Sequence, residues 1–305
     1  MPAHVRLIAI DIDGTLLPST GTTISPRNCE ALRAAEAAGV QVVIATGRRQ
    51  NYATPVLEQV GLSPRTVMIS SNGTVTRRFS GELLHRRLLS QETARSLCGA
   101  LRIFGETVVF TFDREGPDAL VVESIQAMHR RIENWVEANR DDITEVTPLE
   151  RAFDGEDAPI QGMMCGGVLC VREAEKTLLA AFPAAELATH RTEYAENDLG
   201  ILDLLPPGCS KASALERLAQ NLGIDRAEVM AIGDNFNDQE MLEWAGQPVL
   251  MGNAGREMEL LAERHGWGRT LTNDDHGVAH VIEQALGRRG GRVRQELDLD
   301  AAVLR

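Results

Sequence analysis

The chain has 305 residues, of which 43% are hydrophobic, so it exceeds what one hydrophobic core usually holds and is expected to form two domains. Its formal charge of −13 argues against nucleic acid as a partner, because binding a phosphate backbone requires a basic face. The apolar runs are too short to span a bilayer and the N-terminus lacks a signal-peptide pattern, which predicts a cytoplasmic protein without a membrane partner.

The first predicted strand, residues 5–10, runs directly into two acidic residues, Asp11 and Asp13, followed by Gly14. An open parallel sheet forms its ligand crevice at the carboxyl ends of its strands. Two like charges are costly at such a place unless a cation or a reaction offsets them. The alternative is a purely structural Asx turn with a tight bend at Gly14, and this segment alone does not decide between the two.

A second predicted strand, residues 41–45, ends in Thr46, Gly47 and Arg48. The threonine hydroxyl and the glycine amide can both donate hydrogen bonds to a phosphate oxygen. A helix is predicted to begin near Asn51, and its N-terminus favours negative charge. The alternative is an N-cap threonine followed by a turn glycine.

Residues 82–205 contain no comparable motif and are predicted to form an inserted α+β cap domain. A polar, turn-rich loop joins two of its predicted strands, which indicates a hairpin. The predicted elements are strands at residues 107–112 and 119–123, a helix at 125–139, a strand at 162–171, a helix at 172–182 and a returning strand at 199–205.

A third motif is Ser210-Lys211 at the start of a predicted helix, with Ser210 in the N-cap position. A lysine in the first turn opposes the helix dipole, so this position is locally unfavourable and invites a compensating anion. The alternative is a solvated lysine side chain.

A fourth motif follows the predicted strand at residues 228–233 and contains Asp234, Asn235, Asn237 and Asp238. Carboxylate and amide oxygens are the ligands preferred by Mg²⁺, which takes octahedral oxygen coordination. The alternative is an asparagine-rich turn in which Asn237 or Asp238 caps a helix at residues 239–244.

The motifs lie on two stretches, residues 1–81 and 206–287, in which strands and helices alternate. This alternation predicts an α/β fold: a doubly wound, Rossmann-like parallel sheet core, interrupted once by the insert at 82–205. Residues 288–305 are predicted to form a flexible tail.

The order of the motifs, DxDGT from Asp11, TGR from Thr46, SKxxAL from Ser210 and GDNxND from Gly233, resembles the haloacid dehalogenase superfamily of phosphohydrolases. It is most similar to the Cof-type branch, which carries a C2 cap. The resemblance covers nearly the whole chain, with Asp203 standing where a glutamate is common. It implies a Mg²⁺-dependent phosphatase that hydrolyses small phosphomonoesters, with sugar phosphates as the expected class, through an aspartyl phosphate.

The resemblance also implies roles for the acidic residues. Asp11 would attack phosphorus, and Asp13 would protonate the leaving alcohol and then activate water. Mg²⁺ would be held by Asp11, the backbone carbonyl of Asp13 and Asp234. Asp238 is assigned to the same metal site, where it would orient Lys211 or a metal-bound water.

Binding of the phosphoryl oxygens falls, by the same resemblance, to Thr46 and Lys211. The amide of Gly47 and the side chain of Asn237 would add contacts to the phosphate. Arg48 would contact the substrate or pair with an acid, and the sequence does not decide between these.

The cap is expected to contact the leaving group, and its candidate residues are His190, Arg191 and Glu193. Two other functions remain open. A phosphomutase would return the phosphoryl group to a sugar, and a non-catalytic protein would bind a phosphorylated ligand without turnover. No oligomeric state is predicted.

Overall fold

A computed structural model describes residues 4–105, 108–128 and 130–287. The predicted tail at residues 288–305 lies outside this range. Within the described part of the chain, every helix is too short or too polar to cross a membrane.

The strands form two separate sheets. An eight-stranded sheet has the order β14-β13-β12-β1-β2-β3-β4-β5, and a six-stranded sheet has the order β10-β11-β9-β6-β7-β8. The strands are β1 (Leu7–Ile10), β2 (Gln41–Ala45), β3 (Val67–Ser70), β4 (Val75–Arg78), β5 (Leu83–Arg86), β6 (Val108–Thr111), β7 (Leu120–Val122), β8 (Ile143–Glu145), β9 (Gln161–Gly166), β10 (Ala188–Tyr194), β11 (Leu199–Leu205), β12 (Val229–Gly233), β13 (Gln247–Leu250) and β14 (Gly268–Arg269).

Helices pack on both faces of the larger sheet; in the smaller sheet, longer helices cover one face and a short helix packs against the other. They are α1 (Pro26–Ala37), α2 (Gln50–Glu58), α3 (Gln91–Leu101), α4 (Glu133–Ala138), α5 (Val168–Ala181), α6 (Lys211–Asn221), α7 (Gln239–Trp244), α8 (Arg256–His265) and a final helix, α9, at residues 277–287.

Strand β1 lies in the middle of the larger sheet, parallel to β2 on one side and β12 on the other. Its alternate side chains face opposite ways: Ile8 and Ile10 join a core with α1, α2 and α9, whereas Leu7 and Ala9 join a second core with α6, α7 and α8. A strand buried on both faces is apolar throughout, which explains the continuous hydrophobic run. The predicted α/β fold with a parallel sheet is confirmed.

The larger sheet extends further along the chain than the sequence predicts. Leu83–Arg86, placed in the insert by sequence, pair with β4 at the edge of this sheet. Strands β3, β4 and β5 are antiparallel neighbours, so the chain needs only short turns here. The chain therefore leaves the larger sheet after Arg86. The predicted start of the insert at residue 82 is corrected to a position after this strand.

The smaller sheet packs one face against α3 and α5, where Phe110, Met164 and Leu202 join a third core. The predicted hairpin is present as antiparallel β6 and β7. The predicted strand at 199–205 is present as β11, which lies between β10 and β9 in this sheet.

Two predicted elements of the insert are wrong in extent. The helix predicted at 125–139 is reduced to Glu133–Ala138, with separate 3₁₀ turns at Ile125–Ala127 and Arg130–Ile132 before it. The side chains of Ile125, Met128 and Trp135 pack against one small apolar cluster. The strand predicted at 162–171 ends at Gly166, and α5 begins at Val168. The Asp198 carboxylate accepts a hydrogen bond from the Val168 amide, a helix cap supplied from a distant part of the chain.

Candidate active site

The carboxyl ends of β1, β2 and β12 bring three of the four motifs to one edge of the larger sheet. Asp11 follows β1 and Asp234 follows β12, and both are buried. Gly14 between them has φ of +77°, and a Cβ there would lie 2.3 Å from Asp234 Oδ2. Only glycine therefore allows the turn after β1 to approach Asp234 this closely.

Lys211, at the start of α6, joins the same cluster from the fourth motif. Its Nζ donates hydrogen bonds to Asp11 Oδ1 at 2.6 Å and to Asp238 Oδ1 at 2.7 Å. The lysine is 1% exposed. The anion expected to compensate this first-turn lysine is thus supplied by two carboxylates, and the solvated alternative is excluded.

Two further oxygens of the cluster, one on Asp238 and one on Asp234, also accept hydrogen bonds. Asp238 Oδ2 accepts from the backbone amides of Asp234 at 3.0 Å and Asn235 at 3.3 Å. Thr15 Oγ1 donates to Asp234 Oδ1 at 2.9 Å. These contacts fix the orientation of the carboxylates that follow β12.

Asp11, Asp234 and Asp238 each offer one oxygen, and these three atoms lie within 4.8 Å of one another. Burial raises the pKa of Asp11 to about 7, although Lys211 opposes this rise. Burial and the charges of Asp238 and Asp11 raise the pKa of Asp234 well above its usual value. Three buried carboxylates face one ammonium, so the cluster is short of positive charge and its donor set suits a hard divalent cation.

Asp13 points to the other side of its turn and pairs with Arg48. The Arg48 guanidinium donates to both Asp13 oxygens, at 2.8 and 2.6 Å, and lies 4.7 Å from the centre of the Tyr52 ring. The Asp13 side chain is 39% exposed. Of the two predicted roles for Arg48, the pairing with an acid is the one observed.

The loop after β2 places Gly47 and Arg48 in the wall of the cavity described below, while Thr46 is fully buried at the strand end. The Thr46 hydroxyl accepts a hydrogen bond from the Arg48 amide at 3.1 Å. It acts here as an acceptor within its own turn, whereas the N-cap residue of α2 is Arg49, so the N-cap alternative for Thr46 is not observed.

Asn237 is joined to the loop after β3 and to β11 through a chain of polar groups. Its Nδ2 lies 3.4 Å from Asn72 Oδ1, and Asn72 Nδ2 donates to Asp203 Oδ2 at 2.7 Å. Gly73 beside it has φ of +98°, and a Cβ there would lie 2.1 Å from the Ser210 carbonyl oxygen. The loop after β3 therefore joins the β12 loop, the start of α6 and the returning strand β11.

Asp203 gives a pH-dependent prediction. Burial raises the pKa of this carboxyl from 3.8 to about 7, against the lowering effect of Asn72. Because the pKa of Asp203 is higher in the folded than in the unfolded protein, the protonated carboxyl contributes to the free energy of unfolding. That contribution is fully present below pH 3.8 and is lost as the pH rises through about 7. Asparagine does not titrate, so the variant does not lose this contribution. We therefore expect the difference in unfolding free energy between Asp203→Asn and wild type to shift in favour of the variant by about 2 to 3 kcal/mol when the pH is raised from 5 to 8.

The measurement for Asp203 is urea unfolding of both proteins at several pH values. Asparagine keeps an oxygen that accepts from Asn72, so the contact survives the change. Asp141→Asn, at an exposed position, is the matched control and should show no comparable trend. A stability difference between Asp203→Asn and wild type that is the same at pH 5 and pH 8 would contradict the prediction.

A cavity of about 350 Å³ lies between the two sheets, with Asp11, Asp13 and Arg48 in its wall on the core side. The face of the smaller sheet opposite α3 and α5 forms its roof. Burial, followed by the charges of Asp13, Asp234 and Asp11, raises the pKa of the roof residue Tyr194 well above its usual value. The site is therefore enclosed by both sheets, and a ligand bound at Asp11 would contact the cap.

The three cap residues proposed from sequence lie at the seam between the sheets. His190 Nε2 donates to the Cys209 carbonyl at 3.1 Å, and the Arg191 guanidinium lies 5.2 Å from the Phe236 ring centre. Glu193 pairs with Arg172 and Arg191, and its backbone bonds the Asn235 side chain. Among the described lining residues, strand β10 contributes Thr192 and Tyr194 in place of these three.

Sequence reasoning did not single out several lining residues as functional: Tyr52, Trp135, Gln161, Met163, Thr192 and Tyr194. Period-two alternation along β9 and β10 was the available signal, but it does not tell which face meets the core domain. Only the contact between the two sheets makes that distinction.

Comparisons with known proteins agree with this geometry. A family model for haloacid dehalogenase-like hydrolases matches residues 8–282. Phosphatase YwpJ of Bacillus subtilis (strain 168) is 31% identical, over 92% of this chain and 100% of its own. The 5-amino-6-(5-phospho-D-ribitylamino)uracil phosphatase YwtE of that strain is 29% identical, over 92% of this chain and 98% of its own. A solved haloacid dehalogenase-like hydrolase from B. subtilis has a TM-score of 0.76 at 27% identity, over 92% of this chain and 99% of that chain.

Proposed function

This chain belongs to the haloacid dehalogenase-like hydrolases, and from that premise we propose that it is a Mg²⁺-dependent phosphatase of small phosphomonoesters. The observation that carries the proposal is the buried cluster in which Lys211 bonds Asp11 and Asp238 beside Asp234. Its relatives YwpJ and YwtE are both named phosphatases, which supports the same reaction class.

The metal proposal rests on the charge of the cluster. Asp11, Asp234 and Asp238 would hold the ion, together with the backbone carbonyl of Asp13. When bound, Mg²⁺ supplies positive charge that offsets the repulsion between the carboxylates and the substrate phosphate. Buried negative charge with too few cations nearby raises the pKa values of Asp11 and Asp234. The same excess of negative charge makes the cluster suitable for a divalent cation.

In the first step, the Asp11 carboxylate attacks phosphorus. A bond forms between an Asp11 oxygen and phosphorus while the bond from phosphorus to the alcohol oxygen breaks. Asp13, when it carries a proton, transfers that proton to the departing oxygen. Both residues line the cavity, whereas Lys211 contacts Asp11 from the buried side.

In the second step, water attacks phosphorus and the bond to Asp11 breaks. Asp13, now a carboxylate, accepts the proton from this water, and inorganic phosphate leaves. Arg48 donates to both Asp13 oxygens and thereby fixes the position of the carboxyl that acts as the base. The same carboxyl thus serves as acid and then as base.

The transferring phosphoryl group would be surrounded by groups that are already in place. Lys211 supplies a fixed ammonium, and the Gly47 amide and Asn237 lie on loops that line the cavity. The Thr46 hydroxyl oxygen accepts a hydrogen bond from the Arg48 amide, and its proton would be donated to a phosphoryl oxygen. Such preorganised charge accounts for a large part of catalysis in phosphoryl transfer.

Phosphate release from a panel of phosphomonoesters, including the sugar phosphates that the family resemblance favours, tests this proposal. We expect chelation by EDTA to abolish release and added Mg²⁺ to restore it, because the carboxylate cluster loses its compensating charge. In a thermal unfolding assay, Mg²⁺ at 100 times its dissociation constant should stabilise wild type by about 2.7 kcal/mol.

Asp234→Asn is the variant for the unfolding assay, because it removes one carboxylate of the cluster while keeping its size. Stabilisation by Mg²⁺ should be reduced strongly in this variant and should persist in Asp274→Asn, at an exposed position. Full activity in chelator, or equal Mg²⁺ stabilisation in Asp234→Asn, would contradict the metal proposal.

A further inference from the structure

The centre of the cavity roof is apolar. Met163 and Cys165 on β9 lie on the same face of the smaller sheet as Leu199 and Ile201 on β11, since alternate residues share a face. Ile201 is the direct neighbour of Cys165 in the antiparallel register. These four side chains form a continuous patch that a bare sugar could not satisfy, because its hydroxyl groups would find no partner there.

Aromatic side chains stand at the sides of this apolar patch. Trp135 on the short helix α4 lines the cavity, as do Tyr52 on α2 and Tyr194 on β10. Trp135 also packs against Leu120, a neighbouring roof residue. Rings of this kind offer large flat surfaces to a planar ligand at small entropic cost.

The backbone that carries the Trp135 indole is fixed by hydrogen bonds. Asn139 Nδ2 donates to the Trp135 carbonyl at 2.7 Å, and Arg49 Nη2 donates to Asn139 Oδ1 at 2.8 Å. Arg49 directly follows Arg48, so two hydrogen bonds through Asn139 connect the loop after β2 with the backbone of Trp135. A wall positioned in advance favours binding, because less ordering is needed when the ligand enters.

Gln161 supplies an unsatisfied polar group within the roof. It is 5% exposed and lines the cavity, and its Oε1 has no hydrogen-bond partner among the described residues. An unpaired buried oxygen costs about 1 to 3 kcal/mol, so this position calls for a ligand donor. A side-chain amide both donates and accepts, and therefore matches the amide or amino edge of a heterocycle.

The charges around the cavity do not match a second anionic group. In the described part of the cap, the lining residues include Asp203 but neither lysine nor arginine. The two lining arginines of the core loop already pair with carboxylates, Arg48 with Asp13 and Arg49 with Asp142. A leaving group that carried its own phosphate or carboxylate would therefore lack a counter-charge.

We propose that the leaving group of the substrate is an uncharged alcohol bearing a planar heteroaromatic ring, which lies beside Trp135 under the apolar roof and presents an amide or amino edge to Gln161. This inference rests on the proposed phosphatase function and restricts its substrate class. A ring satisfies the apolar patch, the aromatic walls and the Gln161 oxygen together, whereas a sugar could donate a hydroxyl to Gln161 but would leave the apolar patch without an apolar partner.

Two pairs of substrates test the inference. Uridine 5′-monophosphate differs from ribose 5-phosphate by a planar base with an amide edge, and pyridoxine 5′-phosphate differs from glycerol 3-phosphate by a heteroaromatic ring. We expect kcat/KM to be higher for the ring-bearing member by about tenfold or more in at least one pair. Equal values in both pairs, or a preference for a sugar bisphosphate, would overturn the inference and leave the phosphatase proposal intact.

A binding measurement separates recognition from turnover. Calorimetric titration of the Asp11→Asn protein with the same four compounds should show tighter binding of the ring-bearing members, since the roof and walls are unchanged. If wild type releases phosphate from none of them and from no other phosphomonoester, the phosphatase proposal fails. The binding preference still decides whether the cavity recognises a ring.

The variants Trp135→Ala and Gln161→Leu locate the recognition. Each should lower kcat/KM for the ring-bearing member by about tenfold, mainly through KM, and by less than about twofold for its ring-free partner. Asn139 bonds the backbone carbonyl of residue 135, so that contact survives the alanine change. Glu133→Ala, at an exposed position on the same helix, is the control. Equal losses for both members of a pair would show a merely structural role and overturn the assignment.

Discussion

Asp11→Asn is expected to lower kcat for phosphate release by at least about 10⁴-fold, because the variant lacks the carboxylate that would attack phosphorus. An amide oxygen is a poor nucleophile, and the other groups of the cluster cannot take over this position. Asp234 is bonded by Thr15, and Asp238 is occupied by Lys211 and by two backbone amides. The measurement is phosphate release under saturating substrate with Mg²⁺ present.

Asparagine keeps an oxygen in place to accept the hydrogen bond from Lys211 Nζ, so the cluster is expected to remain folded. Thermal unfolding of the variant should confirm this. Acid-quenched wild type should contain a phosphorylated protein species that the Asp11→Asn protein lacks. Retention of most activity in a folded Asp11→Asn protein would exclude the covalent mechanism.

Lys211→Met is expected to reduce both stability and activity. Methionine fills a similar volume but leaves Asp11 and Asp238 buried at 3% and 0% exposure without their shared ammonium. Removing one partner of a buried ion pair costs about 3 to 5 kcal/mol, which urea unfolding in chelator would measure. Loss of a fixed positive charge at the transferring phosphoryl group should lower kcat/KM by about 10³-fold.

A second substitution separates these two effects. Asp238→Asn in the Lys211→Met background removes one of the two uncompensated carboxylates, so stability should recover in part while activity stays low. Lys176→Met, at an exposed position, should change neither property. Unchanged stability in Lys211→Met would show that the buried network is not held together by this ammonium.

The sequence indicated which residues lie near one edge of the larger sheet because of a general property of parallel sheets. Residues that follow parallel strands meet at one edge, so Asp11, Thr46 and Asp234 were expected close together from their positions alone. The first-turn lysine was recognised by the conflict with its helix dipole, and the structure shows the carboxylates that resolve it. The catalytic roles of these residues remain predictions.

The insert was predicted less well, since its elements depend on contacts between distant segments. The start of α5 requires a cap from Asp198, and the short helix α4 forms where Trp135 packs against a sheet formed by other parts of the chain. The periodicity of apolar residues along the sequence does not indicate either of these contacts. Strand β5 was also missed as part of the larger sheet, which it joins as the antiparallel neighbour of β4.

The sequence by itself determined the fold class and the chemical groups of the candidate site, because both follow from local patterns at strand ends. The tertiary structure decided which of these groups pair: Arg48 with Asp13, Lys211 with Asp238, and Asn237 with Asn72. It also decided which face of the cap sheet covers the cavity. Side-chain alternation divides a strand into two faces, but only packing between the two sheets selects the face that a substrate meets.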